Sequence, residues 1–234
     1  QFEEVAECVA GLGLHWIRGG AFKPRTNPHS FQGLGEEALK IMKAVGDKYD
    51  LLTLTEVMDS AHCEMVHSYV DGLQVGARNF QNFSLLEKIG QVTALSRKMV
   101  LYKRGFAGTI AEWLAACDYI TAKGNDNVVL CERGIRTFET ATRFTLDIAA
   151  VPVIHKQSLF PVCVDVSHPA GQRDLVPSLA YAAVAAGADS LMIEVHPNPP
   201  KALSDGPQQL TLAQFEGLVA ELRKIAAVFG KAIA

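Results

Sequence analysis

Short apolar runs alternate with helical stretches along almost the whole of this chain, and that alternation limits the folds open to it. Residues 14–18, 51–55, 72–75, 99–102, 128–131, 161–164 and 190–195 read as strands. Each is a compact run of apolar and β-branched residues bounded by polar or glycine-rich sequence. Helical patterns follow over 36–45, 61–69, 84–94 and 109–123, then more weakly over 138–154, in the alanine-rich segment before residue 190, and over 212–229. Another helix, 2–10, stands in front of the first strand and is closed by Gly11 and Gly13. Strand, helix, strand with polar groups at the strand C-terminal ends is how parallel α/β proteins present their sites.

Seven strands, each followed by helical sequence, fall one short of the eight in a closed parallel barrel. The reading is an α/β fold, a (β/α)8 TIM barrel entered at its first helix, with the first strand outside this sequence. An open doubly wound sheet is the alternative, but no GxGxxG turn opens a helix after a strand. At 234 residues and 49% hydrophobic, the chain has the material for one large core, so one domain over 1–234 is expected.

A net charge of -3 gives no overall reason to bind nucleic acid or an anionic membrane. No apolar run reaches the eighteen or so residues of a membrane helix, and no signal-peptide pattern opens the chain. The five cysteines, Cys8, Cys63, Cys117, Cys131 and Cys163, are scattered without a CxxC pair. They read as reduced, buried apolar filler in a cytoplasmic protein.

Chemistry gathers where the strands end. Arg18, Lys23, Arg25, Arg78, Lys103, Arg104, Arg133 and Arg136 all follow strands. Any one of them could be an ordinary surface cation, but recurrence after four strands suits a ligand with phosphate or carboxylate groups. His168, Glu194 and Asp205 form a second set. One imidazole and two carboxylates make a borderline-hard divalent site if they meet, and otherwise a hydrogen-bonded loop with carboxylates paired to arginines. Glu56, Asp165 and His196 also lie at strand ends, where such groups are more often structural than catalytic. Glu56 is counted with the substrate-binding set. His62 and His67 are off the i, i+4 spacing of a helical metal pair and read as surface residues.

Five motifs in order, RGGAFKPRTNPHSFQGLG, QVGARNFQNFSLL, VLYKRGFAGTIAEWLAA, NVVLCERGIRTFE and SLMIEVHPNPPKALSDGPQQL, resemble 3-deoxy-D-arabino-heptulosonate 7-phosphate (DAHP) synthase of the type I beta subgroup. The resemblance runs from the first helix to the last. It implies a barrel that condenses phosphoenolpyruvate with erythrose 4-phosphate at the entry to the shikimate pathway, using one divalent metal ion. Mn2+ is the expected ion, and the donors also suit Fe2+, Co2+, Zn2+ or Cd2+.

By motif, Arg18, Lys23, Arg78, Lys103 and Arg133 would hold the phosphate and carboxylate of phosphoenolpyruvate. Arg25 and Thr26 would take the sugar phosphate, and His168, Glu194 and Asp205 would bind the metal. Lys23, set among cations that make its proton easier to give up, would donate to the aldehyde oxygen. Lys23 and His168 are therefore the catalytic candidates, and a homodimer or homotetramer is implied.

The sequence departs from the family in three places. The Gly-Pro-Cys motif that supplies a fourth ligand from the first barrel strand does not occur here. VDVSH stands for the usual VDPSH, and Lys98-Met99 for a lysine-proline pair. The alternatives are 3-deoxy-D-manno-octulosonate 8-phosphate synthase, which carries KANRS where this chain has Lys23-Pro24-Arg25-Thr26, and a catalytically silent relative that binds phosphorylated metabolites.

Overall fold

A computed structural model describes residues 1–25 and 27–233. The strands are β1 (Trp16–Arg18), β2 (Leu52–Val57), β3 (Gly72–Val75), β4 (Met99–Lys103), β5 (Val128–Glu132), β6 (Val162–Asp165) and β7 (Ser190–Met192). Their order in the sheet is their order in the chain. The helices are α1 (Phe2–Gly11), α2 (Glu36–Tyr49), α3 (Cys63–Tyr69), α4 (Phe83–Thr93), α5 (Ile110–Thr121), α6 (Ala150–Gln157), α7 (Ser167–Ala170), α8 (Val176–Ala185) and α9 (Leu212–Val228). None is long and apolar enough to cross a membrane. The chain divides into two compact units, residues 15–130 (with Phe2) and residues 131–234 (with Gln1 and 3–14).

In the first unit, β1 to β4 run parallel, with Trp16 opposite Leu52, Leu54 opposite Gly72 and Gly72 opposite Met99. All four residues of β3 are buried, as expected of a parallel strand covered on both faces. At its start Gly72 leaves space for the Leu54, Trp16 and Met99 side chains, which would lie 3.0–3.3 Å from an added Cβ and would have to shift slightly to admit one. Helices α4 and α5 approach closely at Gly90, whose would-be Cβ lies 2.6 Å from the Ile120 carbonyl. Two cations at the end of this unit's sheet, Lys103 and Arg104, are almost fully buried.

In the second unit β6 and β7 pair in parallel, Cys163 to Ser190 and Asp165 to Met192. Helix α9 packs near α1, where Cys8 Sγ donates to Glu216 Oε1 at 3.6 Å. Cys8 is therefore only half-buried, and the apolar-filler reading holds for the other four cysteines alone.

Two boundaries are corrected. The weak helix expected over 138–154 begins only at Ala150, and the residues before it form an irregular loop in which Ile135 and Thr145 pair as an antiparallel bridge. The strand expected over 190–195 stops at Met192, and Val195 instead bridges Leu210 in parallel. The short helix α7, directly after β6, was not anticipated.

Candidate active site

The first unit holds most of the expected anion-binding residues. The glycine-rich segment after β1 is folded back on itself. Thr55 Oγ1 donates to the Gly19 carbonyl at 2.8 Å and accepts from Ala21 N at 3.2 Å, while Lys23 N donates to the Gln32 carbonyl at 2.8 Å. The return requires Gly33, at φ +98, because a Cβ there would lie 2.1 Å from the Ala21 carbonyl. The stem of Lys23 runs over Gly20, whose would-be Cβ is 2.7 Å from Lys23 Cε. Arg25 is half-buried on the same segment. Thr26 lies outside the described residues.

Glu56, at the end of β2, is the centre of the charge pattern here. Gln74 Nε2 donates to its Oε2 at 2.9 Å, while its Oε1 and Gln74 Oε1 are buried with no hydrogen-bond partner among the described residues. Burial pushes the Glu56 carboxyl above its ordinary range. Lys103, Arg18, the Gln74 amide and Arg78 oppose that rise. These residues are thus close enough to act on one another, which brings four expected site residues together. Lys103 is 4% exposed. Arg78, in the turn Ala77–Asn79 after β3, is exposed and lies 5.7 Å from the Phe106 ring centroid. It lines a cleft of about 630 Å3 with Phe80, Gly105, Phe106 and Glu112.

The second unit holds the three expected metal donors. One ligand atom from each of His168, Glu194 and Asp205 lies within 4.8 Å of the others, and all three residues are half-buried. Asp165, fully buried at the end of β6, lies against the imidazole. Its Oδ1 accepts from His168 N at 3.1 Å and its Oδ2 lies 2.7 Å from His168 Nδ1. A carboxylate at Nδ1 leaves Nε2 as the nitrogen open to an ion, and Nε2 is 3.7 Å from Glu194 Oε1. Glu194 is anchored through its backbone, whose N donates to Ser167 Oγ at 2.9 Å. Asp205 sits at φ +56 just before Gly206, in a left-handed conformation that aspartate tolerates better than most residues. One imidazole nitrogen and two carboxylates at this separation fit a divalent ion.

Arg133 lies in this unit, almost fully buried, with its guanidinium 4.1 Å from the Phe144 ring. Burial lowers its pKa and Asp165 opposes the fall. His196, another strand-end candidate, accepts through Nδ1 from Asn198 N at 2.9 Å and does not join the donor set. His62 stacks on Phe22 and His67 pairs with Ser96 Oγ at 2.8 Å.

The family model that matches residues 1–228 is that of the DAHP synthetase I family. The chain belongs to this family. It is 51% identical, over 97% of its length, to phospho-2-dehydro-3-deoxyheptonate aldolase of Thermotoga maritima, and covers 66% of that protein. It is also 36% identical to 2-dehydro-3-deoxyphosphooctonate aldolase of Bradyrhizobium sp., over 85% of the chain and 71% of the relative. The crystal structure of the Thermotoga maritima DAHP synthase superposes with a TM-score of 0.94 at 49% identity, covering 99% of this chain and 66% of that one. A truncated form of that synthase gives 0.91 at 45% identity, covering all of this chain and 84% of that one. The chain thus has the α/β barrel fold of the family, with seven strands among its described residues, and it spans about two thirds of the Thermotoga protein.

Sequence reasoning did not single out Gln74, Arg143, Phe144 or Gln208. Gln208 sits inside the motif SDGPQQL, three residues after Asp205, which was the one available signal. Arg143 lies in the stretch misread as helix.

Proposed function

We propose that this chain carries the catalytic machinery of a DAHP synthase, condensing phosphoenolpyruvate with erythrose 4-phosphate and water to give DAHP and inorganic phosphate. The observation that carries the reading is the meeting of His168, Glu194 and Asp205 at ligand distance, in a member of the DAHP synthetase I family. Arg18, Lys23, Arg78, Lys103 and Arg133 are assigned to the phosphate and carboxylate of phosphoenolpyruvate, with Glu56 ordering the cations beside it. Arg25 and Thr26 are assigned to the sugar phosphate. A homo-oligomer working in the cytoplasm belongs to the same proposal.

In the reaction, C3 of phosphoenolpyruvate attacks the aldehyde carbon of the sugar, forming a carbon–carbon bond while the aldehyde oxygen takes a proton. Lys23 Nζ supplies that proton. Water adds to C2 and loses a proton, and cleavage of the C2–O bond releases phosphate with its bonding electron pair. A divalent ion held by His168, Glu194 and Asp205 would supply Lewis-acid polarisation of the aldehyde. The cations hold both substrates' anionic groups so that the reacting carbons meet in one orientation.

The eight-carbon alternative has support in the relatives named 2-dehydro-3-deoxyphosphooctonate aldolase, at 30–36% identity. The segment Lys23-Pro24-Arg25-Thr26 and the 51% match favour the four-carbon sugar. Phosphate release from phosphoenolpyruvate, measured with erythrose 4-phosphate and separately with arabinose 5-phosphate, decides between them. Faster turnover with the five-carbon sugar would reverse the assignment. Lys23→Met is expected to abolish turnover and keep metal binding, and substantial remaining activity would remove Lys23 from its role.

A further inference from the structure

Two side chains join two of the three metal donors into one network. Arg143 Nη1 donates to Asp205 Oδ1 and to Gln208 Oε1, each at 2.9 Å. Gln208 Nε2 donates to Glu194 Oε2 at 2.5 Å. The polarity of this relay is fixed by chemistry. A guanidinium has no acceptor and an ionised carboxylate has no donor, so the amide between them must turn its oxygen to Arg143 and its nitrogen to Glu194.

Both members of the relay are held by their own surroundings. Gln208 is 2% exposed, and its backbone N donates to the Asp205 carbonyl at 3.2 Å, closing the turn Gly206–Gln208. Two residues on, Leu210 N donates to the Glu194 carbonyl at 2.9 Å, which ties that turn to the segment carrying Glu194. On the other side, Phe144 N donates to the Pro169 carbonyl at 3.1 Å. Gly171, at φ +67, leaves room for Arg143, whose Cβ would lie 2.8 Å from a Cβ at that glycine. The irregular loop before α6 is therefore fastened beside α7, and this delivers Arg143 to the ligands.

We propose that Arg143 and Gln208 are positioning residues of the metal centre. They engage one oxygen of Asp205 and one of Glu194, so that each carboxylate offers its other oxygen to a divalent ion. The disposition of Glu194 agrees: Oε2 is held by Gln208, and Oε1 is the atom facing His168 Nε2. The inference rests on the metal reading given above. Partners that orient ligating carboxylates typically change metal affinity by about 10–100-fold when removed.

The test is a titration of the metal-free protein with Co2+, followed by its d–d absorption, for the parent and for Gln208→Leu, Arg143→Ala, Arg143→Lys and the double variant. Each of Gln208→Leu and Arg143→Ala should weaken Co2+ binding by about 10–100-fold and change the band pattern. Arg143→Lys should recover part of the loss. The double variant should weaken binding by less than the product of the two single effects, because the residues act through one relay. Arg143 is 41% exposed, so the melting temperature of metal-free Arg143→Ala should stay near the parent's, which separates positioning from general destabilisation. Parent-like affinity and bands in both single variants would overturn the inference and leave the metal reading standing. Failure of the parent to bind Co2+, or binding undiminished by His168→Ala, would overturn both.

Discussion

At the scale of single residues, the site is shaped as much by what is missing as by what is present. Gly76 has an ordinary extended backbone, φ -74 and ψ 159, so no conformational demand requires glycine there. Space does: a Cβ would lie 2.0 Å from Glu56 Oε1. Alanine at 76 must displace a buried carboxyl that is held by Gln74 and by nearby cations. Overpacking of this kind costs about 1–3 kcal/mol. Gly76→Ala is expected to lower the melting temperature and to raise the KM for phosphoenolpyruvate, and an unchanged melting temperature would show that Glu56 moves aside freely. His168, Glu194 and Asp205 were legible because their residue types narrow the chemistry. Gln208 was not, since a glutamine has no diagnostic spacing and its role depends on two partners that meet it only in three dimensions.

The elements show where local sequence decides structure and where it does not. Helix α5 begins with a complete capping box: Thr109 Oγ1 accepts from Glu112 N at 3.2 Å, and Glu112 Oε2 accepts from Thr109 N at 2.8 Å. Helix α9 begins the same way with Thr211 and Gln214. Such starts are readable from the chain because both partners lie within four residues. Thr109→Ala should reduce stability by about 1 kcal/mol, read as a lower urea midpoint at unchanged slope, and a shift of the slope alone would contradict it. The stretch before α6 failed to read correctly for the opposite reason. Its apolar spacing fits a helix, but Thr137, Thr140, Thr142 and Thr145 offer side-chain hydrogen bonds that compete with helical ones. Thr137 and Thr145 pair through their hydroxyls at 2.6 Å, and Thr142 Oγ1 donates to the Phe144 carbonyl at 3.0 Å.

For the molecule as a whole, burial sets the titration behaviour. His67, in the first unit, and His196, in the second, both have pKa values lowered, by burial before any other cause. Each stays neutral at pH values where the unfolded chain, near 6.5, takes up a proton. The unfolded state then binds more protons, so stability rises with pH through that range and is lost as pH falls below about 6.5. Melting temperatures measured from pH 8 to pH 5 should decline, and His67→Gln should flatten the decline; a profile that rises on acidification would contradict this. Burial likewise pushes the Cys63 thiol up to about 11 and the Cys117 thiol up to about 12. At pH 8 neither should react with a disulfide reagent until the protein is denatured, and rapid modification of the native protein would contradict their burial.

The alternation of strand and helix was legible over most of the chain because strands such as β3, β5 and β6, buried along almost their whole length, are compact apolar runs. Which residues meet depended on loops, where the pairing partners are distant in sequence.

The proposed activity depends above all on His168, Glu194 and Asp205 holding one ion. Anomalous diffraction from crystals of the protein soaked in Mn2+ tests this directly. The expected result is a single strong peak within coordination distance of His168 Nε2 and of one oxygen each from Glu194 and Asp205, with Arg143 and Gln208 still on the other oxygens. A peak elsewhere, or none at these residues in fully soaked crystals, would contradict it.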